Sequence, residues 1–369
     1  MSWIKKILIP FYIGATSIAL LLLIDFLIGV FLIACDESGG LFVSFCKDTL
    51  RVPHLVYHHD LSKNYRVIDS WGKTNYMLCT DENGFKISCN ASHKSLKNFD
   101  VAFIGDSFTE GIGLEYEETF IGQISMSRPE LKIANLGVSG YSPSIYFSKV
   151  NFLLEHGITF KELVVYVDVS DIQDEAVSYE ISDGVVISKL STVKSFPFYL
   201  SIKKLARWSF PLTYLGLHNL KTPSVPLQME PAVAGHLMAD YQRSAWTYNP
   251  SSIGYGQGGV KGGVEQSLRA MTKLSELLRD KGIDLSVGVY PWPAQLLYDT
   301  AQSEQVRIWE DFCRTRCVRF YNSFESFFAL KDKISANKTI ELYFIPGDVH
   351  HTRQGAEVIA NDYLNASKK

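Results

Sequence analysis

The chain has no surplus of charge of either sign: 36 Lys and Arg stand against 39 Asp and Glu, a formal −3 over 369 residues. That balance gives no electrostatic footprint for nucleic acid, and no basic stripe runs along the sequence. The six cysteines include no CxxC pair, and no histidine pair stands at zinc-finger spacing from them, so the common zinc spacings are missing and no metal is expected. No segment repeats. The run from Ile253 to Gly263 holds six glycines but lacks the Gly-Lys-Ser/Thr ending and follows no strand. It is therefore not a phosphate loop and reads as a flexible loop near a pocket. Disorder is excluded by 46% hydrophobic and 13% aromatic content. The length suits one large domain with elaborations, or two small ones.

One long apolar run is present, from Ile7 to Ile33, preceded by Lys5 and Lys6. A helix needs roughly 20 apolar residues to span a bilayer, more than a cleaved signal core of about 7–15 supplies. Residues 7–34 are therefore expected to be a retained single transmembrane helix. A cytoplasmic tip at 1–6 precedes it, and the rest of the chain lies outside the membrane. Asp25 interrupts the span, at about 2.5–3.5 kcal/mol if central. Leu32-Ile33-Ala34-Cys35 also resembles a lipoprotein cleavage motif, with lipidation at Cys35 as the minority alternative.

Outside the membrane disulfides are allowed. Cys79 and Cys89 flank Asn83-Gly84, a strong hairpin signal, and are expected to be bridged. Cys313 and Cys317 are neighbours on an expected helix, whose regular geometry suits a disulfide poorly.

Residues 35–98 are mixed and turn-rich, a covering segment or small β elaboration. From residue 99 to 369 strands and helices alternate. Val101–Ile104, Ile133–Leu136, Leu163–Val167, Leu285–Tyr290 and Val318–Asn322 read as short buried strands. Between the third and fourth, Val264 to Arg279 repeats apolar residues at helical spacing and ends before Gly282. This alternation predicts an α/β domain with a parallel five-stranded sheet covered on both faces. Residues 181–263, approximately, read as an insertion. Its aromatic stretch Phe196–Leu220, with Lys203, Lys204 and Arg207, is expected to pack on the core, with a membrane-surface role as the alternative.

Three short segments carry chemistry. Gly105-Asp106-Ser107-Phe108-Thr109-Glu110-Gly111 puts a serine directly after a buried strand, where sites form in open α/β sheets. Asp106 or Ser107 as a simple helix N-cap is the plainer reading of that segment alone. Asp348-Val349-His350-His351-Thr352 pairs an acid with a histidine just before a helix, as a base and its orienting carboxylate require. Tyr290-Pro291-Trp292-Pro293 follows the fourth strand and offers either a sugar-stacking wall or a core plug.

Together these segments resemble the SGNH/GDSL hydrolase superfamily, in a membrane-anchored envelope branch, over roughly Asp100 to Leu364. Gly105–Gly111 looks like the family's first block. Asn135-Leu136-Gly137-Val138-Ser139-Gly140 looks like the second, and Asp348 with His350 the last. The resemblance implies a three-layer, flavodoxin-like α/β/α fold and a triad of Ser107, His350 and Asp348. Gly140 and Ser170 would be oxyanion donors beside the Ser107 amide, and Asp106, Tyr290 and Trp292 substrate contacts. The third block departs from the family's Gly-x-Asn-Asp, reading Asp168-Val169-Ser170-Asp171, so a serine stands where an amide donor is usual. The usual Asp-x-x-His spacing would select His351 as base. Counting back from the capping Thr352 and from Gly355 selects His350.

The resemblance implies a cofactor-free serine esterase on the periplasmic side of the inner membrane, acting on an acylated envelope glycan or another ester. The alternatives are an O-acyltransferase on such a polysaccharide and a degenerate, non-catalytic glycan-binding or assembly protein. Protein partners are not legible.

Overall fold

A computed structural model describes residues 12–28, 50–71, 74–91, 96–182, 184–189 and 243–367. Residues 12–28 form a helix within the smaller of two compact units, with Asp25 as its one buried residue. Among the described residues no helix is long and apolar enough to cross a membrane. The ends of the expected span, Lys5, Lys6, Cys35 and the Phe196–Leu220 stretch lie outside the described residues.

The larger unit begins with antiparallel pieces. β1 (Arg51–His54) and β2 (His58–Leu61) form one hairpin. β3 (Arg66–Trp71), β4 (Thr74–Thr80) and β5 (Lys86–Ile87) form a second small sheet. The turn between β4 and β5 is built on Asp81, whose Oδ1 accepts the Asn83 and Phe85 amides at 2.8 and 2.9 Å. Gly84 takes φ 89° there, a left-handed backbone that favours glycine. Cys79 and Cys89 are joined across this hairpin, their Cα atoms 5.2 Å apart.

The parallel sheet follows in β6 (Asn98–Gly105), β7 (Ile133–Asn135), β8 (Thr159–Tyr166), β11 (Asp284–Val289) and β12 (Arg319–Asn322), lying in the order β12-β11-β8-β6-β7. Taken in chain order that is 5-4-3-1-2, the flavodoxin-like arrangement, and its switch point falls between β6 and β8. The central strands are apolar because both faces are covered: Ala102 to Ile104 and Leu163 to Val167 are all fully buried. The short antiparallel pair Tyr179–Ser182 and Val185–Ser188 (β9 and β10) follows β8.

Helices Pro143–Glu155, Asp171–Val177 and Gly259–Asp280 pack together, as do Phe120–Ser127 and the closing helices Ser323–Ile334, Ala336–Tyr343 and Arg353–Ala366. Gly259–Asp280 buries Met271, Leu274 and Leu278 on one stripe, the 3.6-residue pattern read from sequence. It starts earlier than expected, and the last glycines of the supposed flexible loop are helical. Gly263 explains why: a Cβ there would meet the Ile172 carbonyl oxygen at 2.2 Å, so only glycine lets the two helices approach this closely.

Cys313 and Cys317 are also bridged, contrary to the expectation from regular helix geometry. Their helix ends at Arg316, and Cys317 is already extended at φ −116°, ψ 151°, which turns its side chain off the helical path.

Buried ion pairs and hydrogen bonds tie the antiparallel segment to the parallel domain. Lys149 is fully buried and donates to Asp60 Oδ1 at 2.8 Å and to the Leu136 carbonyl and the Tyr141 hydroxyl, both at 3.2 Å. Lys86, also buried, donates to the Gly111 and Leu114 carbonyls, each at 2.8 Å.

Candidate active site

Ser107 sits at the switch point, at the carboxyl end of β6. Gly105 permits the approach: a Cβ there would meet Thr109 Oγ1 at 2.1 Å and the Tyr166 carbonyl at 2.7 Å. Ser107 opens the short helix Ser107–Glu110, capped by Asp106, whose Oδ1 accepts the Phe108 amide at 3.0 Å. Asp106 is thus an N-cap and Ser107 the first helical residue, whose own amide has no intrahelical acceptor.

Ser107 Oγ lies 2.8 Å from His350 Nε2. The other ring nitrogen, Nδ1, is hydrogen-bonded to Asp348 Oδ1. That oxygen also accepts the His350 amide at 2.9 Å, and Asp348 Oδ2 accepts the Trp71 indole N–H at 2.9 Å. Burial pushes the Asp348 carboxyl up, but hydrogen bonds and charge from His350, with the Trp71 donor, outweigh it and hold the pKa below the usual range. Thr352 caps the following helix, accepting the Gly355 amide at 3.3 Å, so a capped helix start fixes the backbone that presents His350.

His351 faces elsewhere. It is buried, its ring stacked on Phe327 at 5.4 Å and packed against Phe344 and Phe108, and its Nε2 has no hydrogen-bond partner among the described residues.

Behind Ser107 lie three buried carboxylates, Asp106, Asp168 and Asp171, each with an oxygen within 4.8 Å of the others. Donors surround them. Asp106 Oδ2 lies 3.1 Å from Ser107 Oγ, whose one proton is directed to the nearer His350, and Asp171 Oδ2 accepts from Tyr146 at 2.8 Å. Asp168 accepts from the Trp292 indole at 2.7 Å on one oxygen and from the Ser170 amide and hydroxyl, at 2.8 and 2.6 Å, on the other. Burial and the neighbouring carboxylates push Asp171 well above the ordinary range, and burial with Asp168 beside it pushes Asp106 up to about 7. Among the described residues this is the one acidic cluster compact enough to chelate a cation, yet its oxygens are largely engaged and two of its members favour holding protons.

Two expectations are corrected here. Ser170 does not offer its hydroxyl to an oxyanion, because Asp168, standing where the block's glycine is usual, takes that hydrogen bond. Tyr290 and Trp292 are not an exposed sugar-stacking wall: both are buried, Trp292 bonded to Asp168 and Tyr290 reaching Asp106 at 3.4 Å. Gly140 lies in a turn with φ 79°, and its amide has no acceptor among the described residues.

Sequence reading missed Trp71. It comes from β3, 277 residues from Asp348, and also packs edge-on against His350 at 5.3 Å between ring centres. No local pattern announces such a contact. Glu110 was missed too; its buried carboxylate accepts the Ser139 amide at 2.7 Å and pairs with Arg51.

No family model and no curated protein matches the chain. Among solved structures it is similar to a lipolytic protein of the G-D-S-L family from Veillonella parvula, at 10% identity over 73% of this chain and 98% of that one, TM-score 0.39. It is similar to an acetylxylan esterase from Geobacillus stearothermophilus, at 10% identity over 72% and 93%, TM-score 0.36. A psychrotrophic esterase from Pseudoalteromonas sp. matches at 10% over 74% and 97%, TM-score 0.35. Likenesses this distant leave function to be read from the site's own geometry.

Proposed function

We propose that this chain is a serine esterase acting on an acylated cell-envelope glycan, with Ser107 as nucleophile. The observation that carries the reading is the unbroken hydrogen-bonded line from Asp348 through His350 to Ser107 Oγ, its last link 2.8 Å. His350 Nε2 accepts the serine proton as Oγ attacks the acyl carbon, then returns it to the leaving sugar hydroxyl. Asp348 keeps the Nδ1 proton in place, so the free lone pair stays on Nε2. Negative charge developing on the carbonyl oxygen meets the amides of Ser107 and Gly140. Water then attacks the acyl-enzyme by the same route.

A membrane anchor over residues 7–34 with the larger unit outside the cytoplasmic membrane belongs to the same proposal. Lys5 and Lys6 ahead of the apolar run support it, as do the two disulfides among the described residues. A reporter fused after Lys369 should be active only if it functions in the periplasm.

The test of the chemistry uses the full chain in detergent. Fluorophosphonate should label Ser107 and p-nitrophenyl acetate should turn over, and Ser107→Ala should lose both. A wild type inert to both reagents would overturn the esterase reading and favour the non-catalytic, glycan-binding alternative.

Acyl transfer is the second reading, favoured by the low exposure of Ser107, 9%, which shields an acyl-enzyme from water. An added oligosaccharide acceptor would then divert product from free acetate to acylated sugar.

A further inference from the structure

Val138 to Tyr141 form a turn, the Tyr141 amide donating to the Val138 carbonyl at 3.2 Å, with Gly140 third at φ 79°. A positive φ at the third position marks type II, whose central peptide is turned over relative to type I. Here that peptide is the Ser139 carbonyl and the Gly140 amide. In a trans peptide the two point in opposite directions, so whatever fixes the carbonyl fixes the amide.

The carbonyl is held from the β1–β2 hairpin. His59 Nε2 lies 2.8 Å from the Ser139 oxygen. A carbonyl can only accept, so Nε2 carries the proton and donates. The other nitrogen, Nδ1, is 2.8 Å from His58 Nδ1, where neutral His59 accepts and His58 donates. Burial keeps His59 neutral, its pKa pushed down to about 4, so this pairing of tautomers is the one available at neutral pH. The other side of Ser139 is gripped as well, its amide donating to Glu110, which Arg51 of β1 pairs with.

We infer that His59 is a positioning residue for the oxyanion: by holding the Ser139 carbonyl it keeps the turn in the orientation that presents the Gly140 amide as a donor. The inference rests on the esterase reading above. Donation into the carbonyl end also polarises the peptide and strengthens the amide at its other end. With the Ser170 hydroxyl turned to Asp168, the esterase reading relies on the amides of Gly140 and Ser107 as its oxyanion donors, so losing one is felt. The hairpin thereby contributes to the reaction without touching the substrate.

The experiment compares the full-length wild type with His59→Leu, His59→Asn and His59→Gln, using p-nitrophenyl acetate turnover, the rate of fluorophosphonate labelling and thermal unfolding. Removing an oxyanion donor outright lowers turnover by about 10²–10³, and a donor misdirected about nine-tenths of the time loses about tenfold. His59→Leu and His59→Asn, the latter too short to reach the Ser139 oxygen, should therefore lower kcat about tenfold or more with KM little changed. His59→Gln, whose amide nitrogen reaches about as far as Nε2, should recover most of it. Wild-type kcat in both loss variants overturns the inference. So does an equal fall in all three variants that tracks their melting temperatures, because that is the signature of a merely structural contact. If the wild type itself neither labels nor turns over, the esterase reading fails first and takes this inference with it.

Discussion

Replacing His351 with phenylalanine tests the packing around the site independently of any assumed reaction. The His351 ring is 5% exposed, lies among Phe327, Phe344 and Phe108, and leaves Nε2 without a partner. Burial, with His350 adding to it, pushes its pKa down to about 3. A base depressed in the fold stays neutral there while the unfolded chain takes up a proton below about 6.5. Its stabilising contribution is therefore fully present above pH 6.5 and is lost as the pH falls toward 3. At about 1.36 kcal/mol per unit, wild type at pH 4 carries a penalty on the order of 3 kcal/mol that the variant lacks. At pH 7 the two should differ by only about 1 kcal/mol, since relief of the unpaired nitrogen is offset by a slightly larger ring. Urea unfolding of both proteins at pH 7, 5.5 and 4 reads the difference directly. A gap that does not change with pH would show the ring protonating inside the fold, and the aromatic enclosure drawn here would be wrong.

Three further outcomes follow from the hydrogen bonds around Ser107. His350→Ala should abolish fluorophosphonate labelling while His351→Phe retains most of it; the reverse would move the base to His351. Trp71→Phe removes a donor to a charged acceptor, a contact of about 1.5–3 kcal/mol. It should raise the Asp348 pKa and lower kcat about tenfold or more, with the acid limb of the pH–rate profile displaced upward; an unchanged profile would make the indole a packing group only. Ser170→Ala should leave turnover within about threefold, because Asp168 keeps the Ser170 amide and the Trp292 indole; a loss beyond about tenfold, roughly 1.4 kcal/mol, would mean the hydroxyl turns toward the substrate.

The inner strands β6, β8 and β11 could be read from sequence because each ends in a short apolar run buried on both faces, and burial of that kind leaves no room for polar alternation. The direction of His350 was legible for a different reason. Thr352 caps a helix, and a capped start fixes the backbone just ahead of it. Ser170 was misread because a hydroxyl's direction depends on the nearest strong acceptor, and sequence spacing does not reveal that Asp168 takes it. Tyr290 and Trp292 carry the same signal whether they face solvent or plug the space behind two carboxylates. Trp71 and His59 were invisible, since their partners lie 277 and 80 residues away across the joint between the antiparallel segment and the parallel sheet.

Lys149 sets a limit on how this protein can be cut. Its helix belongs to the parallel domain, whereas the carboxylate that neutralises it, Asp60, belongs to the β1–β2 hairpin. A fragment starting at β6 would lose the counter-charge together with Tyr57 and Phe85, whose rings cover the ammonium, baring the charge and the apolar surface around it. An alignment-guided truncation to the parallel sheet alone should therefore yield insoluble or unfolded material.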